Sequence, residues 1–227
     1  MTARSPRASS PKPRLPGVLL AGFEPFGGET SNPSWDAVRA LHGERIASHR
    51  VATCCLPCEF GTSLVALRQA IAELQPALVL CVGQAGGRAQ LSLERVAINI
   101  DDARIADNAG ARPIDEPIAA DGPAAYFSDL PIKAMLADLR AAGIPAEVSQ
   151  TAGTYVCNHV FYGLMHALHR SGVRGGFIHV PFSPAQAAYH PGAASLPIDT
   201  VSAGLRIALR SALTHATDLR IAAGAEH

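Results

Sequence analysis

The chain has 227 residues, 48 % of them hydrophobic, enough for one domain with a sizeable core. Lys plus Arg and Asp plus Glu both number 19, so the formal charge is zero and favours neither a nucleic-acid backbone nor an anionic membrane. No apolar run approaches the roughly 20 residues of a membrane helix, and a small or neutral partner is expected.

Residues 1–16 are rich in Pro, Ser and basic side chains and read as a disordered tail. Four prolines in that stretch argue against an amphipathic transit helix. Val18 to Ala21 is a short apolar run, read as a buried first strand. The loop GFEPFGGETSNP follows, and Asn32–Pro33 has the form of an N-cap and first helical turn. Ile46 to Leu56 reads as one or two strands. Thr62 is placed to cap a helix with Leu64, Leu67, Ile71 and Leu74 inward, stopped by Pro76. Leu78 to Val82 is a fully buried strand opening into the turn GQAGGR. Leu91 to Ile100 alternates in part and reads as a strand. Residues 101–123 form a long polar loop, a length often tied to function. Helices are expected over 131–142, from Cys157 to about Ser171, and from Asp199 to about His215. Short strands are expected at 146–149 and 177–180.

Strands alternating with helices argue for a three-layer α/β/α domain with a central mixed, mostly parallel sheet. Residues 17–215 form that single domain in this reading, and 216–227 a C-terminal tail. The five cysteines, Cys54, Cys55, Cys58, Cys81 and Cys157, are odd in number and irregularly spaced. With no secretory signal before them, they read as free thiols of a reducing, cytoplasmic compartment.

The stretch SQTAGTYVCNHVFYGL carries the clearest chemistry. A strand ends, Gly153 allows a sharp turn, and Cys157 starts a helix. The helix dipole and free N–H groups there would favour thiolate and could hold an oxyanion. The competing reading is an inert buried thiol. For a base, His159 and His166 fall at the wrong helical positions. His179, in the apolar strand FIHVPF, can return beside the helix start, or be a satisfied core histidine. A carboxylate should orient the imidazole. Glu24, Glu94, Asp101, Asp102 and Asp107 are candidates, and spacing does not choose among them. His159, His166 and His169 lack HExxH spacing or neighbouring carboxylates and read as polar-face or interface residues, not metal ligands. GQAGGR is no dinucleotide fingerprint and GFEPFGG lacks a P-loop Lys-Ser/Thr.

Four stretches, GFEPFGGETSNPSW, VGQAGGRAQLSLERVAINIDDARIADN, TAGTYVCNHVFYGL and GGFIHVPFSPAQ, closely resemble signatures of pyroglutamyl-peptidase type I, also called pyrrolidone-carboxylate peptidase. The resemblance runs from about Val18 to Leu213. It implies a cysteine peptidase that removes N-terminal pyroglutamate from peptides, without metal or cofactor. It implies a Cys–His–Glu triad at Cys157, His179 and Glu94, passing through a thioester acyl-enzyme, with Arg104 assisting the oxyanion. Phe23, Phe26 and Tyr155 match aromatic positions around the ring. Asn32, Cys58, Gln84, Ile105 and Val156 match other pocket or loop-fixing positions. The implied assembly is a homotetramer or homodimer. Tyr155 stands where Phe is usual and Cys58 where Thr occurs in some relatives, so the Tyr155 hydroxyl needs a partner. Two other classes remain: a thiol redox protein using Cys54, Cys55 and Cys58, and a lactam-binding protein without turnover.

Overall fold

The computed structural model describes residues 16–225; the expected N-terminal tail lies almost entirely outside them. In chain order the elements are β1 (Gly17–Phe23), α1 (Pro33–Arg39), β2 (Arg45–Ile46), β3 (His49–Leu56), α2 (Thr62–Leu74), β4 (Leu78–Gln84), β5 (Leu91–Glu94), β6 (Val96–Ile98), β7 (Ala125–Phe127), α3 (Ile132–Ala141), β8 (Ala146–Ser149), α4 (Val156–Leu168), β9 (Arg174–Val180), α5 (Pro184–Ala187) and α6 (Ile198–Thr214).

Seven strands form one sheet in the order β2-β3-β1-β4-β9-β5-β8. β3, β1, β4 and β9 pair in parallel, while β5 runs against β9 and parallel to β8. Every residue of the central strand β4 is buried, as expected for a strand covered on both faces. Alternation sorts the apolar side chains of β1. Val18 and Leu20 join a core beneath α1, α3 and α6, whereas Leu19, Ala21 and Phe23 join a second core beneath α2 and α4. The chain is thus a three-layer α/β/α structure.

β3 and β4 lie on opposite sides of β1, so the connections diverge at the carboxyl ends of β1 and β4. Such a switch point opens a crevice where α/β proteins bind ligands. Gly22 closes β1 beneath α1: a Cβ there would lie 2.9 Å from the Trp35 backbone, so only glycine allows the helix so near. The Asn32 side chain accepts from the Ser34 N–H at 3.0 Å and caps α1, with Pro33 as its first residue.

Some elements differ from the sequence expectation. Thr62 does not cap α2 but begins it; the cap is Gly61, at φ +74°, without a side-chain bond. The segment 91–100 is not one strand. The chain leaves the main sheet at Arg95, and β6 pairs antiparallel with β7, tied to α4 by the Asn158 side chain, which accepts the Ile98 N–H. Beyond α6 the chain returns to the domain. Asp218 accepts the N–H groups of Lys133 and Ala134 at 3.0 and 2.9 Å, serving the start of α3, which has no side-chain bond from its own cap.

Candidate active site

Cys157, His179 and Glu94 come from three elements and meet on one face of the sheet. In the β4–β9 register Gly83 pairs with His179, so the two point to the same side. A Cβ on Gly83 would lie 2.7 Å from the Cys157 sulfur and 2.8 Å from the Phe177 ring. The sulfur therefore occupies the space that a side chain at 83 would take, on the His179 side. Ser92 of β5 pairs with His179, and Glu94, two residues on, shares that face. His179 Nδ1 lies 2.7 Å from Glu94 Oε1. A carboxylate only accepts, so Nδ1 carries the proton and Nε2 is left with a lone pair.

Glu94 is fully buried, and a buried charge needs a partner. Arg88, from the GQAGGR turn, donates to the same Oε1 at 2.6 Å and to the Thr151 carbonyl at 2.7 Å. It joins the acid to the loop just before the nucleophile's helix. Glu94 Oε2 is buried with no hydrogen-bond partner among the described residues. Burial lowers the His179 pKa from its ordinary value; Glu94 opposes this and Arg88 reinforces it. Cys157 is partly exposed as a residue, yet protein surrounds its sulfur, and this desolvation pushes the thiol well above the ordinary range. Cys58 and Glu94 add to the rise, and Arg88 opposes it. Desolvation is the largest cause and runs against the thiolate expected at the helix start.

The helix start retains its other capacity. No side chain caps α4, and the backbone N–H groups of Val156, Cys157 and Asn158 have no acceptor among the described residues. These donors belong to Cys157 and its two chain neighbours and suit an oxyanion.

The expected pocket residues fall into three groups. Phe26 and Tyr155 face each other, partly exposed, with ring centroids 6.0 Å apart; Phe60 meets Tyr155 edge-on at 5.5 Å. Phe23, Cys58 and Val156 are buried behind them. Phe23 packs on Phe177, which in turn packs on His179, so it forms the floor rather than an open wall. Glu24 fixes the rim, accepting the Cys58 N–H at 3.1 Å and the Asn108 amide at 2.8 Å, while the Asn32 amide donates to the Glu24 carbonyl. The Tyr155 hydroxyl donates to the Ala106 carbonyl at 3.1 Å. Arg104 and Ile105 are exposed on that same loop, and Arg104 makes no hydrogen bond or ion pair among the described residues, so no contact ties it to Cys157.

Several residues escaped the sequence reading. Arg88 has no role in the sequence reading; the signal for it is a carboxylate in an apolar strand, which requires a nearby cation. His159 is not on a polar face. It is buried, lies 2.7 Å from Asp101 through Nδ1, and accepts the Gly61 N–H on Nε2 at 3.0 Å. A backbone N–H can only donate, so His159 is a neutral imidazole that ties the Phe60 loop to Asp101. Among Cys54, Cys55 and Cys58, burial raises every thiol, Cys58 to about 12 and Cys55 to about 11. Such thiols make poor redox nucleophiles. Among the described residues no three His, Cys, Asp or Glu side chains cluster as a metal site.

Residues 17–215 match the family model for pyroglutamyl peptidase. The pyrrolidone-carboxylate peptidase of Cupriavidus taiwanensis is 62 % identical over 216 residues, covering 94 % of this chain and all of that one. The crystal structure of pyroglutamyl peptidase I from Bacillus amyloliquefaciens superposes with a TM-score of 0.89 at 48 % identity, over 92 % of this chain and all of the other. Pyrrolidone carboxyl peptidase from Thermococcus litoralis gives 0.88 at 33 % identity, again over 92 % and 100 %. The chain therefore belongs to the pyroglutamyl peptidase family of cysteine-type hydrolases.

Proposed function

We propose that this protein removes N-terminal pyroglutamate from peptides, with Cys157 as nucleophile, His179 as general acid–base and Glu94 as the orienting acid. One observation carries the reading: the Cys157 sulfur and the His179 ring share one sheet face, and the imidazole is held by Glu94 in the tautomer that leaves Nε2 open. As the sulfur attacks the pyroglutamyl carbonyl, Nε2 takes its proton. The free N–H groups at the start of α4 receive the oxyanion. The imidazolium then protonates the leaving amine, and water enters to release the thioester.

The aromatic pair fits a flat, uncharged ring. Stacking a ring between two faces needs about 7 Å between them, two contacts of ~3.5 Å. Phe26 and Tyr155 are 6.0 Å apart, so ring entry requires the Phe26 loop to swing outward. Gly27 and Gly28, both at positive φ, follow Phe26 and permit that swing. An ordinary peptide amine is an ammonium, and burying it unpaired here is prohibitive. The five free cysteines suit a reducing cytoplasm, and no helix among the described residues is long and apolar enough to cross a membrane. The family likeness supports a homotetramer or homodimer.

The test is release of a fluorogenic amine from a pyroglutamyl amide by wild type and Cys157→Ser. Thiol-dependent release that disappears in the variant is expected. Release that survives it would assign the nucleophile elsewhere, and tight binding of 2-pyrrolidone without any release would mark a binding protein.

A further inference from the structure

The two aromatic walls of the crevice are built differently. Phe26 is followed by Gly27 and Gly28, both at positive φ, so its wall can move. Tyr155, opposite, is held twice. Its hydroxyl donates to the Ala106 carbonyl at 3.1 Å, and its ring meets Phe60 edge-on at 5.5 Å. Phe60 in turn meets the His159 ring edge-on, with 5.4 Å between centroids and 83° between planes. The three rings form a row: Tyr155 and Phe60 are partly exposed, and His159 is buried behind them. Phe60 lies in the turn between β3 and α2, where two successive N–H groups go to side chains. The Phe60 N–H donates to Asp107 Oδ2 at 2.7 Å, and the Gly61 N–H to His159 Nε2 at 3.0 Å. Gly61 stands before α2 at φ +74° with no side-chain cap of its own, so the anchor comes from another helix. At the opposite end of the imidazole, Nδ1 lies 2.7 Å from Asp101, whose backbone pairs with Glu116 at 2.7 and 3.0 Å. The His159 N–H also donates to the Tyr155 carbonyl at 3.0 Å, so one residue touches both members of the wall.

We propose that His159 is a positioning residue that fixes the Tyr155 wall of the crevice by holding Phe60 in place through the Gly61 N–H. This rests on the pyroglutamyl-peptidase reading above. His159 acts through Phe60 rather than on the ligand. If the Phe26 wall swings to admit the ring, the other wall must stand still for the ring to stack against it. A wall ordered in advance carries no ordering cost when the ligand arrives. The Gly61 N–H can only donate, so Nε2 must be the bare nitrogen, and the carboxylate of Asp101 keeps the proton on Nδ1. Without that acceptor the Phe60 turn loses one of its two side-chain anchors and the edge contact on Tyr155 loosens. The loss weakens ring binding in the ground state and the transition state alike.

Side chains of different reach separate the two ends of the imidazole, with KM and kcat on a pyroglutamyl amide and thermal unfolding as the readouts. The amide of Asn extends as far as Nδ1 and can still donate to Asp101, but it leaves the Gly61 N–H without an acceptor. The amide of Gln extends as far as Nε2 and can accept that N–H, but it leaves Asp101 without its donor. His159→Asn is expected to raise KM about fivefold, the worth of one hydrogen bond, with kcat nearly unchanged. His159→Gln is expected to keep the wild-type KM while unfolding at a lower temperature. A wild-type KM in His159→Asn, or an equal rise of KM in both variants, overturns the proposal. Should His159→Asn fail to fold, Phe60→Leu decides, because it removes the next ring in the row and leaves the Gly61 bond intact. It is expected to raise KM by a similar factor; a wild-type KM there would also overturn the proposal. Failure of the underlying reading looks different: wild type itself would release no amine, or Cys157→Ser would retain release.

Discussion

Replacing Glu94 with Gln probes the site at its most buried point. The carboxylate is fully enclosed, and its Oε1 serves both His179 and Arg88, at 2.7 and 2.6 Å. A Gln side chain can keep that acceptor, but its NH2 then takes the place of Oε2, which has no partner. Burying that amide unsatisfied costs about 1–3 kcal/mol of stability. The chemical cost is larger. Burial and Arg88 both lower the His179 pKa and only Glu94 raises it, so the variant removes the one group that favours imidazolium and keeps the one that opposes it. Removing one member of a buried charged pair costs about 3–5 kcal/mol, and applied to the barrier this is a loss of about 10²–10⁴ in kcat. KM should stay within about threefold, because no ring contact changes. The His179 pKa should fall further, so the acid limb of kcat/KM moves to lower pH. Initial rates on a pyroglutamyl amide between about pH 5 and 9, with thermal unfolding of both proteins, provide the measurement. A kcat within tenfold of wild type, or an acid limb displaced upward, would refute the reasoning.

Gly83→Ala places a methyl 2.7 Å from the Cys157 sulfur and 2.8 Å from Phe177. The sulfur must move, and a displacement of ~1 Å at a reacting atom is expected to cost about 10²-fold in kcat, measured on protein whose circular dichroism is unchanged. Near-normal turnover would show that the sulfur does not react from this position. The raised Cys157 thiol yields a separate expectation. Iodoacetamide alkylation of the ligand-free protein should keep climbing through about pH 9, as thiolate forms only above the ordinary thiol range. A plateau near neutral pH would reveal a resting thiolate–imidazolium pair and refute this expectation.

Much of the fold could be read from apolar periodicity. Leu78 to Val82 is a buried strand because nothing in it is polar, and the helix beginning near Cys157 appeared because Val160, Leu164 and Leu168 repeat at helical spacing. What stayed hidden depends on partners far along the chain. The break at Arg95 is fixed by β7 and by Asn158, which lies 60 residues beyond the Ile98 whose N–H it accepts. The direction of β5 leaves no trace in its own four residues. In the candidate site, Cys157 and His179 stood out because a thiol at a helix start and an imidazole in an apolar strand are chemically odd. The acid did not, since five carboxylates fitted equally well, and only the family likeness named Glu94. Arg88 went unread although Glu94 is only six residues on, because nothing in the turn GQAGGR shows that its side chain folds back onto that carboxylate. His159 misled because its helix position looked polar, while the Asp101 that buries it comes from 58 residues earlier.

The reversed strand β5 has a consequence for proton traffic. Its register sets Ser92 opposite His179 and Leu93 opposite Ile178, so Glu94 approaches the ring from the amino-terminal, interior end of β9. That carboxylate has no surface of its own, and water reaches neither of its oxygens. The imidazole is then a port with a single open side. In the proposed reaction a proton lifted from sulfur has no exit through the back of the ring and waits there for the departing amine.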